Sequence, residues 1–227
     1  MSRETVLDNI RRSLRRGELP QDQRAMLEAR LDTHPRHLIP ARSQLPRPQQ
    51  IDLFVRNVEK EFGTVARTAD ADAVPEAVAD YLASQNLPTE FAMSPHPELQ
   101  AIPWSTRPML QIRQGRAEST DLVSVQHAFA AIAETGTLMF PSAPERPTTI
   151  NLLPDTAIVV LRASRVVGPY EDAWDLLRRE IGGMPRNVML VTGPSRSADI
   201  EQTLELGAHG PRRLHVILIE DDAAARA

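Results

Sequence analysis

The run Ala157-Ile158-Val159-Val160-Leu161 has no polar residue at either parity. A strand with one face in water alternates apolar and polar positions. An unbroken apolar run of this length fits a strand covered on both faces, as in parallel sheets. The stretch 187–191 reads as a second buried strand, 122–125 and 214–219 read as further strands, and shorter strand candidates lie at 64–66, 91–93, 109–112 and 165–167. Helical stripes separate them: Ile51, Phe54, Val55, Val58 and Phe62; Val74, Ala77, Val78, Tyr81 and Leu82; Trp174, Leu177 and Ile181. Strands alternating with helices predict βαβ units, and so an α/β fold with a mainly parallel sheet flanked by helices.

The N-terminal part reads differently. Val6, Ile10 and Leu14 recur every four residues, predicting a helix over 2–16 whose other face carries Arg11, Arg12, Arg15 and Arg16. A second short helix is predicted over 21–31, after Pro20. Then come Pro35, Pro40, Pro46 and Pro48 in fourteen residues. Proline donates no ladder hydrogen bond, so this segment is an extended arm, and a candidate for exchange between subunits of a homo-oligomer. The expected organisation is residues 1–48 as N-terminal helices and proline-rich arm, 49–220 as the α/β domain, and 221–227 as a frayed tail.

Of the 227 residues 41% are hydrophobic and 25% charged, a globular balance. The net charge of -4 argues against a nucleic-acid surface, and the basic helical face is an ordinary solvated face by composition. Lys60 is the only lysine, which leaves little room for Schiff-base or P-loop chemistry. With no cysteine there is no thiol nucleophile and no thiolate-held iron–sulfur cluster on these residues. The N-terminus lacks the apolar stretch of a signal peptide, and no run approaches the roughly 20 apolar residues of a membrane span, so a cytoplasmic location is expected. The six histidines are scattered, and no metal site is expected from their spacing.

Three segments are candidates for chemistry. In Thr192-Gly193-Pro194-Ser195-Arg196-Ser197, a strand ends in a Gly-Pro turn and is expected to feed a helix over 199–206, with Ser197 as its N-cap. A helix N-terminus beyond the carboxyl end of a parallel strand suits an anion, which Arg196 can grip bidentately. The same pattern serves equally as a plain cap, with Arg196 bonded to Asp199 or Glu201. In Glu134-Thr135-Gly136, a glutamate between apolar stretches is a candidate base, nucleophile or hydroxyl acceptor; its alternative is a turn carboxylate bonded to backbone N–H groups. In Gly207-Ala208-His209-Gly210-Pro211, a tight loop carries His209, a group that titrates near neutral pH or one that is simply exposed.

Together, Ala131-Ile132-Ala133-Glu134-Thr135-Gly136-Thr137-Leu138, Asn151-Leu152-Leu153-Pro154 and the 192–201 and 207–211 segments resemble the LUD domain of the lactate-utilisation protein C (LutC) family. The specific motifs cover roughly residues 120 to 220; the stripes of 50–115 fit more loosely. The resemblance implies a fold like that of the glucosamine-6-phosphate isomerase, ribose-5-phosphate isomerase and CoA-transferase group. It also implies a role in oxidising L-lactate to pyruvate beside two partner proteins that carry iron–sulfur clusters, this chain holding no cofactor of its own. It carries over no assigned catalytic residue; the candidates come from the turn and loop patterns, with Glu134 as the candidate catalytic residue and Thr135, Gly136, Thr192, Gly193, Ser195, Arg196, Ser197 and His209 as candidate ligand-binding residues, and the resemblance narrows the expected ligand to a small carboxylate. One departure stands out: many relatives have a small polar or acidic residue a few positions before the A-E-[ST]-G turn, where this chain reads His127-Ala128-Phe129-Ala130. The alternative function is a stand-alone enzyme on sugar phosphates or CoA-linked metabolites, by analogy of fold.

Overall fold

The structure is a computed structural model that describes residues 2–15, 17, 19–198 and 204–222. It divides into two units, 1–38 and 39–227. The first holds α1 (Arg3–Ser13) and α2 (Gln21–Thr33). The Ser2 hydroxyl caps α1 by accepting the Thr5 N–H at 3.2 Å. Neither helix buries a residue, and the predicted stripe of Val6, Ile10 and Leu14 lies exposed. Arg16 lies outside the described residues.

The second unit begins at Ile39, ten residues before the boundary expected from proline content. Side chains bind the end of the arm into it. Ser43 is fully buried, and Arg47 bonds to the Ala163 carbonyl, the Val166 carbonyl and Asp222. The next elements are α3 (Arg47–Lys60), β1 (Thr64–Thr68), α4 (Val74–Ser84), β2 (Glu90–Met93), α5 (Pro97–Gln100), β3 (Gln111–Gln114) and β4 (Val123–His127). They are followed by β5 (Ala130–Ile132), β6 (Thr137–Pro141), β7 (Thr156–Arg162), β8 (Val166–Val167), α6 (Tyr170–Ile181), β9 (Val188–Thr192), β10 (Arg196–Ala198), β11 (Leu204–Leu206) and β12 (Arg213–Ile219).

Six strands form an all-parallel sheet in the order β1-β12-β7-β4-β2-β3. The apolar runs explain its two covered faces, because successive side chains point to opposite sides. Val159, Leu161, Val216 and Leu218 pack with Ile51, Phe54 and Val58 of α3. Their neighbours Ile158, Val160, Ile217 and Ile219 pack with Val74, Val78 and Leu82 of α4. A second, smaller sheet has the order β8-β5-β6-β9, with β5, β6 and β9 antiparallel in sequence. One of its faces joins the α3 core through Leu138 and Phe140; the other packs Ile132 and Met139 against Ala173 and Leu177 of α6.

Two expectations are corrected here. The 187–191 strand belongs to the small antiparallel sheet, where β9 is an edge with Leu190 exposed, and not to the parallel sheet. An apolar run cannot distinguish double coverage from an edge strand resting one face on a core. Ser197 does not cap a helix either: it lies in β10, paired with Glu205 of β11 in a short antiparallel hairpin. The predicted helix over 199–206 is strand at Leu204–Leu206, and 199–203, with Asp199 and Glu201, lies outside the described residues. Of the predicted frayed tail, Asp221 is held by the Ser164 N–H and hydroxyl at 2.9 and 2.8 Å, and Asp222 by Arg47; 223–227 are outside the described residues. Among the described residues no helix is long and apolar enough to cross a membrane.

Candidate functional site

The residues singled out by the sequence lie at the amino end of the parallel sheet, around the last turn of α3. Thr135 and Thr192 are brought together there. The Thr137 hydroxyl is 2.6 Å from the hydroxyls of both Thr135 and Thr192 and 2.9 Å from that of Tyr170, to which Thr135 donates at 3.0 Å. Glu134, with its side chain 8% exposed, accepts from Arg42 at 2.7 Å. The Asn57 amide donates to the carbonyls of Ala133 and Glu134. Gly136 has φ +70°, and a Cβ there would lie 2.7 Å from the Val58 nitrogen. Gly193 has φ +73°, and its Cβ would lie 2.5 Å from the Glu61 carbonyl. Both glycines thus allow a turn to touch the backbone of α3, which a side chain would prevent.

Thr192, Gly193, Ser195, Arg196 and His209 line one cavity of about 290 Å³, walled by Ala157 and Leu214 at the starts of β7 and β12. Ser195 is tied down on three sides: its N–H donates to the Pro211 carbonyl at 2.7 Å, its carbonyl accepts from Gly207, and its hydroxyl accepts from the His209 N–H at 3.1 Å. The Arg196 guanidinium lies 3.4 Å over the Phe62 ring, a cation–π contact. The anion argument loses its basis at this loop, because the strand before it is antiparallel and the chain after Ser195 enters a hairpin.

The opposite end of the sheet carries a different group of side chains. Open parallel sheets bind ligands beyond the carboxyl ends of strands, at the point where outgoing connections diverge. Here β2 leads to β3 on one side, while β4 leads through the small sheet to β7 on the other. The crevice between β2 and β4 is therefore the switch point. His127 is the last residue of β4, and β2 is followed by Ser94-Pro95-His96-Pro97-Glu98. Arg162 ends β7, and Arg146 arrives from the loop after β6.

The two imidazoles stack, with centroids 4.1 Å apart and planes within 6°. His127 is 3% and His96 6% exposed. The His127 Nε2 lies 3.5 Å from Glu98 Oε1, too long for a good hydrogen bond, and neither of its ring nitrogens has a hydrogen-bond partner. Glu98 also bonds Arg162, which reaches Asp221 at 3.5 Å. The nearby imidazole and guanidinium hold the Glu98 carboxyl well below the usual range. Burial, then the neighbouring His127 and Arg146, push His96 down to about 4, so it is neutral at pH 7.

His96, Glu98 and His127 offer three ligand atoms within 4.8 Å of one another, the spacing of a metal site. The orientation does not fit one. A metal bonds imidazole nitrogen in the ring plane at about 2.0–2.1 Å, and nearly parallel rings stacked at 4.1 Å direct their lone pairs side by side. Two guanidiniums beside the trio further disfavour a cation. None of His96, Glu98, His127, Arg146 and Arg162 was found as a site residue from the sequence. They come from separate segments and converge only when the sheet forms. The usable signal was His127, a titratable residue closing the strand Val123-Ser124-Val125-Gln126.

Comparison with known proteins places this architecture. The LUD domain family model matches residues 51–219. The chain belongs to the LUD domain family. Among curated relatives, an uncharacterised protein of Neisseria meningitidis is 42% identical over 95 residues, which cover 42% of this chain and 41% of that protein. Lactate utilization protein C of Bacillus subtilis is 34% identical over 102 residues, covering 44% of this chain and 42% of that one. The chain thus matches less than half the length of these relatives. The crystal structure of a DUF162 family protein from Deinococcus radiodurans is 22% identical, covers 77% of this chain and 99% of that one, and superposes with a TM-score of 0.59. It supports the fold alone, and that fold is the mainly parallel α/β architecture expected from the LUD resemblance.

Proposed function

We propose that this LUD domain serves L-lactate utilisation, as a component without a cluster of its own in the oxidation of L-lactate to pyruvate. The observation that carries the reading is the similarity to proteins named lactate utilization protein C, at 34% identity in Bacillus subtilis. The chain's own chemistry agrees with it. These residues include no cysteine, so iron–sulfur clusters taking the electrons would sit on partner proteins, two of them by the family resemblance. The crevice at the carboxyl ends of β2 and β4 holds neutral His96 beside arginines, a setting suited to an uncharged proton acceptor and a small anion.

The test is genetic and biochemical. Deletion of the gene is expected to abolish growth on L-lactate as sole carbon source while growth on glucose continues. The tagged protein, purified from lactate-grown cells, is expected to bring down two cysteine-rich proteins and to reduce a dye in the presence of L-lactate. Undiminished growth of the deletion strain on L-lactate overturns the reading.

A further inference from the structure

The crevice over β2 and β4 contains polar groups that the protein leaves unsatisfied. The buried Ser94 hydroxyl, both ring nitrogens of His127 and the Nε of Arg146 have no hydrogen-bond partner. A buried donor or acceptor without a partner costs about 1–3 kcal/mol. Three such residues, from the segment after β2, the end of β4 and the loop after β6, gather on the side where α/β sheets take ligands and can be completed by one.

The charges say what completes it. Arg162 is neutralised by Glu98 and Asp221. Arg146, its side chain 15% exposed, has as its nearest carboxylate the adjacent Glu145, 3.4 Å away and 39% exposed. Burial makes its cation costlier than in water. Its Nη2 instead lies 2.9 Å from His96 Nε2. The other nitrogen of that ring already accepts the Glu98 N–H at 3.3 Å. A neutral imidazole has one acceptor nitrogen, so His96 cannot satisfy both donors. The contact between Arg146 and His96 is therefore one that an incoming acceptor displaces at little cost.

We infer that this crevice binds a small carboxylate, with Arg146 as the anion clamp and the His127 imidazole hydrogen-bonded to an oxygen on the neighbouring carbon. The guanidinium fork matches a planar carboxylate in two parallel hydrogen bonds, a geometry an ammonium lacks. Side-chain exposure rises from 3% at His127 to 33% at Arg162 and 42% at Glu98, so the ligand reaches the imidazoles past that side. Assigning the ligand as a 2-hydroxy or 2-oxo acid rests on the lactate reading above; the site itself rests on the unsatisfied groups.

The experiment is isothermal titration calorimetry of the full chain with sodium L-lactate, sodium pyruvate, sodium acetate and inorganic phosphate at constant ionic strength. Saturable binding of lactate or pyruvate is expected. Arg146→Gln should weaken it tenfold or more, and His127→Leu should weaken lactate and pyruvate more than acetate. Arg179→Ala, on the exposed face of α6, should leave it unchanged. Undiminished binding to Arg146→Gln, phosphate binding tighter than both acids, or no saturable binding of any carboxylate each overturns the assignment. Zinc binding at micromolar concentration that His127→Leu abolishes also overturns it, in favour of a metal site. If Arg146→Gln fails to fold by circular dichroism, the wild-type imidazole nitrogen resonances decide: His127 shifts on adding pyruvate, or the assignment falls. Binding in a protein whose deletion leaves lactate growth intact keeps the site and removes the lactate role. A growth defect without binding does the reverse.

Discussion

Buried polar atoms without partners lie at both ends of the parallel sheet, on Asn151 and Thr156 at the amino end and on Ser94, His127 and Arg146 at the carboxyl end, but only the carboxyl-end group includes a guanidinium beside imidazoles. Thr135, Thr137, Thr192 and Tyr170 share hydroxyl bonds of 2.6–3.0 Å, Glu134 has Arg42, and Ser195 is bonded by His209, Gly207 and Pro211. Seven residues along β7, roughly 20 Å away, His127 and Arg146 retain unpartnered nitrogens under a half-exposed rim. The more distinctive sequence motif thus lies among hydroxyl bonds and backbone contacts beside the Thr192–His209 cavity, and the less distinctive residues bring a guanidinium to two buried imidazoles. A conspicuous motif such as Glu134-Thr135-Gly136 can owe its pattern to backbone contact, here the approach of Gly136 to α3.

The contrast breaks most sharply at His127. His127→Leu removes the imidazole that helps hold the Glu98 carboxyl low, so the loss of stability in acid below the carboxylate range is expected to shrink in urea unfolding followed against pH. The same variant should fail to restore growth on L-lactate to a deletion strain. Restored growth would move the functional end of the molecule back to the Thr192 loop.

Acid affects both ends. Burial, the leading cause in each case, depresses His96 and His215 from 6.5 to about 4 in the folded protein. Between those values the unfolded chain binds more protons than the native one, so stability falls as pH drops from 6.5 towards 4 and is level above about 7. Each group contributes on the order of 3 kcal/mol. Glu98, held low by His127 and Arg162, adds a further loss below the ordinary carboxylate range. His215 stacks on Tyr81 at 3.8 Å and bonds Thr64 on the neighbouring strand, far from the crevice. His215→Asn should therefore flatten about half the slope of melting temperature against pH without changing carboxylate affinity. An unchanged slope would reject the assignment of that half to His215.

Gly136→Ala is expected to cost about 3 kcal/mol, from a left-handed backbone and a clash with α3 that flexible side chains cannot relieve. Calorimetric melting with carboxylate affinity measured alongside checks that the loss is one of stability. Arg196→Ala is the smallest effect: an exposed cation–π contact with Phe62 contributes about 0.5–1 kcal/mol. A large loss of lactate or pyruvate affinity in this variant would make the amino-end cavity the binding site.

The apolar runs were sufficient for the α/β class, because a doubly covered strand leaves a local record in every residue, as in the 157–161 run of β7. The Glu134 turn and the glycines were legible for a similar reason, since a tight turn needs particular residue types. Three features were not local. Whether β9 joined the parallel sheet or the edge of a second one depended on β6 lying beside it. What followed Ser195 depended on pairing between β10 and β11. The meeting of His96, Glu98, His127, Arg146 and Arg162 depended on the order β7-β4-β2, which sets three strand ends side by side. Sequence by itself determined what each segment prefers, through side-chain period and turn chemistry. Tertiary structure decided which segments became neighbours, and with that which polar groups found partners and which were left for a ligand.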